Sequence, residues 1–266
     1  MNEKPVYHQS DLSKFEFCPY GFCLERIEKR RGLSSFFAMR GTGAHVARKV
    51  NLRQKIATRK DLSVDVLKDA ARDEIKKQVD EGRVDLKSDG TAFMSKAAVL
   101  SKLIDTTVKL VEIDRLRLQP RLMPLEVEVK KRVILERWPF DLEMTLDSID
   151  EDAHITDLKT SRCKWSQEKA DDEYQPSVYW LGYRAHRGCY PKAFRHHCLT
   201  ITKTGRTYAY QLETIRGPGQ IVAVLERIKA MDRSIQAGVF PPTHQSNWKC
   251  SPEWCFVYRD CKYVAK

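Results

Sequence analysis

The sequence predicts a mixed β-sheet flanked by helices, in the α/β or α+β class. Apolar residues recur at helical spacing over the N-terminal part of the chain, as far as Leu118. From Leu125 onward apolar and polar residues alternate, as they do in half-buried strands, and helical and strand-like segments then follow one another. This succession of elements favours a sheet covered by helices over a helical bundle.

Four helices are predicted in the N-terminal part. Polar residues that commonly cap helices, Ser and Asp, stand where the first and third helices are expected to begin. Leu62, Val66, Ala70 and the later Ile75 and Val79 are expected along one broad face of the third helix. The fourth ends before Pro120, because proline interrupts a helix. The four helices are expected from Ser10, around His45, from Asp61, and from Phe93 to Leu118.

Three short strands, joined by short polar connections, are predicted next, and we expect them to form a meander. They cover residues 125–129, 140–146 and 153–158. The elements expected after them are a helix from Tyr174 to Arg187 closed by Gly188, strands at 194–202 and 207–212, and a helix at 220–236. The tail from Pro241 onward is expected to be irregular and contains three cysteines.

The composition favours a soluble protein with a polyanionic partner. The chain has 47 Lys and Arg against 36 Asp and Glu, a formal net charge of +11, and phosphate contacts by basic residues release condensed counterions. It has no run of about 18 apolar residues and no apolar segment near its start. We therefore expect no transmembrane helix, no signal peptide and a cytoplasmic location. No basic amphipathic helix with an exposed apolar face is visible, so no membrane partner is expected.

The segment from Leu146 to Lys159 carries the candidate catalytic residues. Asp157 and Lys159 are two apart on a predicted strand and so project from one face. An adjacent antiparallel strand would bring Asp147 beside them. Two neighbouring carboxylates stay ionised together only with a cation between them, and Mg²⁺ or Mn²⁺ takes such oxygen ligands. The bound ion would polarise a phosphodiester, while Lys159 would stabilise developing charge. For an isolated Asp-x-Lys, the alternative is an exposed strand edge with solvated charges.

The order of several motifs resembles the RecB-like branch of the PD-(D/E)XK nucleases, which includes CRISPR-adaptation exonucleases, AddB helicase-nucleases and phage recombination exonucleases. The matching motifs, in chain order, are Ser10-Asp11-Leu12 with Phe17-Cys18-Pro19, Gly41-x-x-x-His45, Asp147, Asp157-x-Lys159, Gln175-x-x-x-Tyr179 and the C-terminal cysteines. The resemblance implies a restriction-endonuclease-like PD-(D/E)XK core. It also implies one nuclease domain over 1–266, with a mainly helical part at 1–120, the core at 121–240 and a cysteine-rich tail at 241–266 clasped to the N-terminal segment.

The resemblance assigns a role to each matching residue. The implied metal ligands are the side chains of His45, Asp147 and Asp157 and the backbone carbonyl of Leu158. Lys159 would be the catalytic lysine. Gln175 and Tyr179, four apart on a helix, share a face and would support the site and the DNA. The alternative for His45 is a histidine packed in the core, and the alternative for Tyr179 is core packing beside Trp180 and Tyr183.

Two positions depart from the family pattern. Relatives often have glycine three residues before the first Asp, where this chain has Met144. Relatives also often carry a glutamate on the preceding strand. Glu126 and Glu128 both qualify, and the sequence does not decide which of them, if either, reaches the site.

The eight cysteines, in a chain without a signal peptide, indicate metal binding more than disulfides. The resemblance implies a cluster held by Cys18, Cys250, Cys255 and Cys261, although the gap after Cys250 is longer than in the iron–sulfur relatives. Four thiolates suit a [4Fe–4S] cluster or Zn²⁺. Cys23 is a possible substitute for Cys18, and buried free thiols are the alternative. Cys163, Cys189 and Cys198 are interpreted as scattered small hydrophobic residues.

Together these features predict a metal-dependent DNA exonuclease of a bacterial cell or phage-infected host, acting on single-stranded or end-bearing duplex DNA in recombination, repair or phage DNA metabolism. A non-catalytic DNA-binding module with an iron–sulfur or zinc clasp is the alternative, and an RNA-directed enzyme is a third candidate. No nucleotide-binding Gly-x-x-x-x-Gly-Lys-Ser/Thr loop is present. Unwinding would therefore come from a partner, such as a helicase; a recombinase or an annealing protein is also a candidate partner.

Overall fold

The computed structural model describes residues 3–30, 32–85, 94–252 and 254–264. Its elements are β1 (Val6–Tyr7), α1 (Gln9–Phe17), α2 (Pro19–Phe22), β2 (Ser34–Ser35), α3 (Phe36–Thr58), α4 (Val64–Asp80), β3 (Val84–Asp85), α5 (Lys96–Arg117), β4 (Pro124–Val133), β5 (Asp141–Asp150), β6 (His154–Ser161), α6 (Gln167–Asp172), α7 (Gln175–Arg187), β7 (Ala193–Ile201), β8 (Thr207–Thr214) and α8 (Pro218–Gln236). A π-helical turn covers Cys23–Ile27, and 3-10 turns cover Gln119–Arg121 and Tyr258–Asp260.

The main sheet has the order β1-β5-β6-β7-β8, with β4 also paired to β5. Strands β4, β5 and β6 are antiparallel neighbours, which is the expected meander. Strand β7 runs parallel to β6 and antiparallel to β8, so the sheet is mixed, as predicted. Strand β1 pairs in parallel with the start of β5; with two residues it is too short to give a periodic signal in the sequence.

Helices cover both faces of the sheet. On one face, side chains such as Leu146, Ile155 and Phe194 form a core with α7 and α8. On the other, Leu158 and Leu199 pack against α3, α4 and α5. The alternation of side chains along β6 and β7 accounts for the two separate cores. No helix in the described part of the chain combines the length and apolarity that crossing a membrane requires.

The buried face of α4 differs in part from the prediction. Ile75 is fully buried, as expected, but it shares the buried face with Leu67 and Ala71, whereas Val66 is 46% exposed. A stripe through Val66 and Ala70 and a stripe through Leu67 and Ala71 both fit the helical period. Periodicity alone does not choose between them, and the packing of α4 against α3 and α5 decides which one is buried. The start of α5 is Lys96, capped by Ser95. Phe93, where this helix was expected to begin, lies outside the described residues.

Candidate functional site

The two candidate carboxylates lie where strands β5 and β6 separate. The strands pair at Ser148 with Thr156 and at Ile149 with Ile155. The next position along each strand is Asp147 on β5 and Asp157 on β6, and the pairing ends before them. The Asp147 Oδ2 instead accepts a hydrogen bond of 3.2 Å from the amide of Leu158. The predicted antiparallel neighbour of β6 is therefore present, and it brings Asp147 to this fork.

The alternation of side chains along β5 breaks at Asp147. Leu146 and Ile149 both face the core with α7, although they are three positions apart. The pairing of β4 with β5 places Glu128 opposite this break, and Glu128 has a φ of 54°, in the left-handed region. Such irregularities recur beside functional sites, where they redirect a side chain. Here the carboxylate of Asp147 contacts His45 on α3.

Asp157, Lys159 and Gln175 form one connected polar group. Asp157 is 3% exposed, and its Oδ1 accepts a 2.7 Å hydrogen bond from Gln175 Nε2. The Lys159 ammonium lies 2.9 Å from Asp157 Oδ2 and donates to Gln175 Oε1. Gln175 is the buried first residue of α7, so the start of this helix holds both members of the ion pair.

His45 joins the site from α3. Its Nδ1 lies 3.2 Å from Asp147 Oδ2, and its side chain is 41% exposed, so it is not a core histidine. One turn earlier, a Cβ at Gly41 would lie 3.1 Å from Thr160 Oγ1. The glycine therefore permits the close approach of α3 to β6 that places the imidazole near Asp147.

The charges of the site influence one another strongly. Burial raises the pKa of Asp157; the Lys159 ammonium opposes this and the Asp147 carboxylate adds to it, so that the net shift is upward. Desolvation raises the pKa of Asp147, but the hydrogen bond and charge of His45 lower it overall. Desolvation lowers the pKa of Lys159 and of His45, yet the neighbouring carboxylates raise both overall. The two basic side chains, Lys159 and His45, therefore face two acids.

The donor set fits a hard divalent cation. Asp157 Oδ2 is buried and has no hydrogen-bond donor of acceptable geometry within the described residues, although Lys159 is near. An unsatisfied carboxylate oxygen beside a second carboxylate and an imidazole suits Mg²⁺ or Mn²⁺. Across the described ranges, however, no three His, Cys, Asp or Glu side chains lie close enough to hold one metal ion. His45 contacts Asp147, whereas Asp157 contacts Lys159 and Gln175; Leu158 contributes its amide, to Asp147.

Tyr179 lies one helical turn beyond Gln175. It is 7% exposed, and its ring lies 5.8 Å from that of Phe194, so it belongs to the core. It is also near the site, because the charges of Asp157 and Asp147 add to the effect of burial in raising its pKa. Tyr179 is therefore both a core residue and a neighbour of the candidate site.

Met144 replaces the glycine of the relatives without crowding the site. A Cβ built at Gly182 on α7 would lie 2.1 Å from Met144 Sδ. The thioether therefore fills the space that a glycine on the facing helix leaves open. Met144, which stands where relatives often have glycine, is therefore accommodated by Gly182 on the facing helix.

Of the two glutamates on β4, Glu128 is the nearer to the site. It lines a small cavity with His45 and Asp147, and it forms ion pairs with Lys49 at 2.6 Å and Arg53 at 3.2 Å. Glu126 instead pairs with His186 and Arg187 at the end of α7. From strand periodicity, Glu126 and Glu128 are expected on the same face of β4. The positive φ at position 128, which the sequence does not reveal, gives the two side chains different surroundings.

Four cysteines line one cavity of about 590 Å³: Cys18, Cys250, Cys255 and Cys261. The Sγ of Cys18 accepts from the amides of Gly21 at 3.3 Å and Thr243 at 3.5 Å. The Tyr20 amide donates to Pro241 O at 3.2 Å, which joins the N-terminal segment to the tail. The four thiols that are predicted to act together thus line the same cavity.

The other cysteines lie elsewhere. Cys23 does not line this cavity. Cys198 is buried, as expected for a small hydrophobic residue, but Cys163 and Cys189 are exposed. The interpretation of these two as small hydrophobic residues is therefore wrong, because each follows the end of an element and lies at the surface.

Comparison with known proteins identifies the family. The model of the PD-(D/E)XK nuclease superfamily matches residues 9–264. The crystal structure of a protein of Eubacterium rectale named "Putative exonuclease" has a TM-score of 0.61 and 14% identity, covering 99% of this chain and 90% of that one, which shows a shared fold. The structure of SSO0001 is 12% identical with a TM-score of 0.44, covering 100% of this chain and 90% of that one. A search of curated proteins found no significant match. With nearly its whole length matched by the family model, the chain belongs to the PD-(D/E)XK nuclease superfamily.

Proposed function

We propose that the protein is a metal-dependent DNA exonuclease that acts on DNA ends in recombination, repair or phage DNA metabolism. The observation that carries the proposal is the meeting of Asp147, Asp157 and Lys159 at the fork between β5 and β6, in a chain of a nuclease superfamily. The net charge of +11 supports a polyanionic substrate.

The proposed metal ligands are His45, Asp147, Asp157 and the carbonyl of Leu158. Bound Mg²⁺ or Mn²⁺ would polarise the phosphodiester and lower the pKa of a water molecule. Lys159, kept protonated by the neighbouring carboxylates, would stabilise negative charge on the phosphate oxygens.

The remaining residues of the site would act as supports. Gln175 would position both Asp157 and Lys159 through its two amide atoms. Tyr179 would pack behind them. A module that only binds DNA gains nothing from two acids beside the phosphates, because like charges repel; this favours catalysis over the non-catalytic alternative.

For the four cysteines we propose a [4Fe–4S] cluster, with Zn²⁺ as the alternative, as in the iron–sulfur members of the RecB-like branch. The proposal is supported by their shared cavity of about 590 Å³. The cluster would fasten the tail to the N-terminal segment within one nuclease domain.

The test is a digest of end-labelled single-stranded and duplex DNA with Mg²⁺ or Mn²⁺, beside covalently closed circular DNA. Cleavage of the ended substrates alone supports an exonuclease, whereas cleavage of closed circles overturns the requirement for ends. Binding without cleavage of any DNA under these conditions, in protein shown to be folded, overturns the nuclease. An RNA substrate in the same series tests the RNA-directed alternative.

A further inference from the structure

A groove lined by basic side chains opens at the ends of β6 and β7, close to the candidate site. Its volume is about 380 Å³, and Arg40, Lys102, Lys109, Arg162 and Lys203 line it; we call it the basic groove. Arg162 directly follows β6, three residues after Lys159. Phe37, in the first turn of α3, also lines the groove and precedes His45 by eight residues, about 12 Å along the helix. The groove therefore lies on the same two elements, β6 and α3, that carry Lys159 and His45.

Three lysines of the basic groove have no carboxylate partner among the described residues. Lys102, Lys109 and Lys203 are exposed, and none of them pairs with a carboxylate in the parts of the chain that the structure describes. Among the residues that the structure describes, no Asp or Glu lines the groove. By contrast, Lys68 on the neighbouring helix α4 pairs with Glu112 at 2.9 Å. A cluster of unpaired cations repels itself and attracts a polyanion.

Aromatic rings continue the groove across the C-terminal tail. The guanidinium groups of Arg40 and Arg162 lie 5.2 and 4.8 Å from the centre of the Phe37 ring. Phe37 stacks on Trp254, with ring centres 6.3 Å apart and planes 11° apart. Trp254 in turn meets Trp248 edge-on at 5.1 Å. We call Phe37, Trp254 and Trp248 the aromatic ladder.

The outer rings of the aromatic ladder are not explained by folding. Trp248 is 64% exposed and Trp254 is 47% exposed, although burying such rings is among the largest apolar gains available to a chain. Exposed aromatic faces beside a cationic groove are the usual platform for unpaired bases, which stack on them whatever the base sequence.

We propose that the basic groove and the aromatic ladder bind a single unpaired DNA strand that connects with the catalytic site. Its phosphates would lie along Lys102, Lys109 and Lys203, and its bases would stack on Trp254 and Trp248. The commitment to an unpaired strand follows from the ladder, because the bases of a duplex stack on each other and offer no free faces. This inference rests on the proposed DNA nuclease and names the form of its substrate.

Binding is tested apart from cleavage, with the Asp157→Asn protein in EDTA and a labelled oligo(dT) beside a blunt duplex of equal length. Oligo(dT) is expected to bind more tightly than the duplex and to quench tryptophan fluorescence. Trp248→Leu is expected to weaken oligo(dT) binding at least about fivefold while changing duplex binding little. Trp138→Phe is the matched control, because Trp138 packs against the core on the other face of the sheet.

The contribution of the basic groove's charge is tested with the variants Lys109→Glu and Lys203→Glu. Each is expected to weaken binding and to lower the slope of log affinity against log salt by about one. The control is Lys60→Glu, an exposed lysine just beyond the far end of α3, a helix of 23 residues about 34 Å long. Because Trp248 is the most exposed ring of the ladder, its variant is the one expected to fold normally, and melting curves check this.

Several results would overturn the inference: duplex bound as tightly as oligo(dT), equal losses in the control variants, unchanged binding in all three test variants, or tighter binding of oligo(rU) than of oligo(dT). Its failure is separable from that of the proposed function. If the groove and ladder variants cleave DNA normally, the proposed strand-binding surface is wrong and the proposed nuclease stands. If the protein binds oligo(dT) selectively but cuts no DNA, the proposed nuclease is wrong and the strand-binding surface stands.

Discussion

The side-chain amide of Gln175 donates a 2.7 Å hydrogen bond to the buried carboxylate of Asp157, and its carbonyl oxygen accepts from Lys159. One residue at the start of α7 therefore fixes both a proposed metal ligand and the proposed charge stabiliser. The orientation of each depends on an amide that itself carries no charge.

Gln175→Ala is expected to lower cleavage roughly 10- to 100-fold, as is usual when the partner of a metal ligand is removed. The change acts by releasing Asp157 and Lys159, so the metal concentration giving half-maximal rate is expected to rise as well. Single-turnover cleavage across a Mn²⁺ titration measures both. Gln54→Ala, on the outer surface of α3, is the control; equal rates in the two variants would contradict a positioning role.

Asp157→Ala and Lys159→Ala are each expected to abolish cleavage, because the first removes a proposed metal ligand and the second the ammonium proposed to stabilise charge on the phosphate. EDTA is expected to do the same to the unmodified protein. Circular dichroism checks that both variants fold. Full activity in EDTA would rule out a metal-dependent reaction.

Gly182→Ala is expected to destabilise the protein by roughly 1–3 kcal/mol, the usual effect of overpacking a core. The added Cβ would lie 2.1 Å from Met144 Sδ, and the thioether must move. Thermal or urea unfolding measures the loss. In a double-mutant cycle with Met144→Ala the two changes are expected to be strongly non-additive; simple additivity would show that the two side chains do not compete for space.

Asp150 gives the fold a pH dependence separate from catalysis. Burial raises its pKa from 3.8 to about 7, against hydrogen bonding by Thr156 and the charge of Arg195. A raised pKa means that the folded protein binds this proton more tightly than the unfolded chain, so the stabilisation is complete below pH 4 and is lost as the pH rises towards 7.

Asp150→Asn is therefore expected to be more stable than the unmodified protein at pH 8, by on the order of 1–3 kcal/mol, and close to it at pH 4. Urea unfolding at a series of pH values measures the difference. Asp73→Asn, an exposed aspartate on α4, is the control. A difference that does not change between pH 4 and 8 would show that Asp150 titrates normally in the folded protein.

The cysteine cavity predicts a visible property. Protein purified without oxygen is expected to be brown, with about four irons per chain. Cys18→Ala and Cys255→Ala are expected to lose the colour and to become protease-sensitive at both ends of the chain, whereas Cys163→Ala, at the surface, is not. Colourless protein containing zinc would identify the alternative metal. Absence of both metals, with an unchanged melting temperature for Cys18→Ala, would leave four free thiols.

Local signals in the sequence predicted most of the elements. Ser63 caps α4 through its side chain, and Gly188 ends α7 in the left-handed conformation. Alternation located β4, β5 and β6, and the spacing of Asp157 and Lys159 placed them on one face. Each of these features depends on residues that are close together in the chain.

The features that were not predicted depend on residues far apart in the chain. The shift in alternation at Asp147 and the positive φ of Glu128 arise from the pairing of two strands. The basic groove combines α3, α5 and the turn between β7 and β8, and the aromatic ladder joins Phe37 to Trp254. No pattern within one segment reveals such a surface.

The fork between β5 and β6 also bears on the order in which the site assembles. Asp147 and Asp157 are joined by a tight hairpin closed by the hydrogen bond from Ala153 N to Asp150 O, and such local structure forms within about 10 µs. His45 and Gln175 belong to helices that must dock from elsewhere in the chain, which is slower because longer loops must close. Lys159 lies on the same hairpin and accompanies the two acids, so we expect the site to be completed only when α3 brings His45 and α7 brings Gln175.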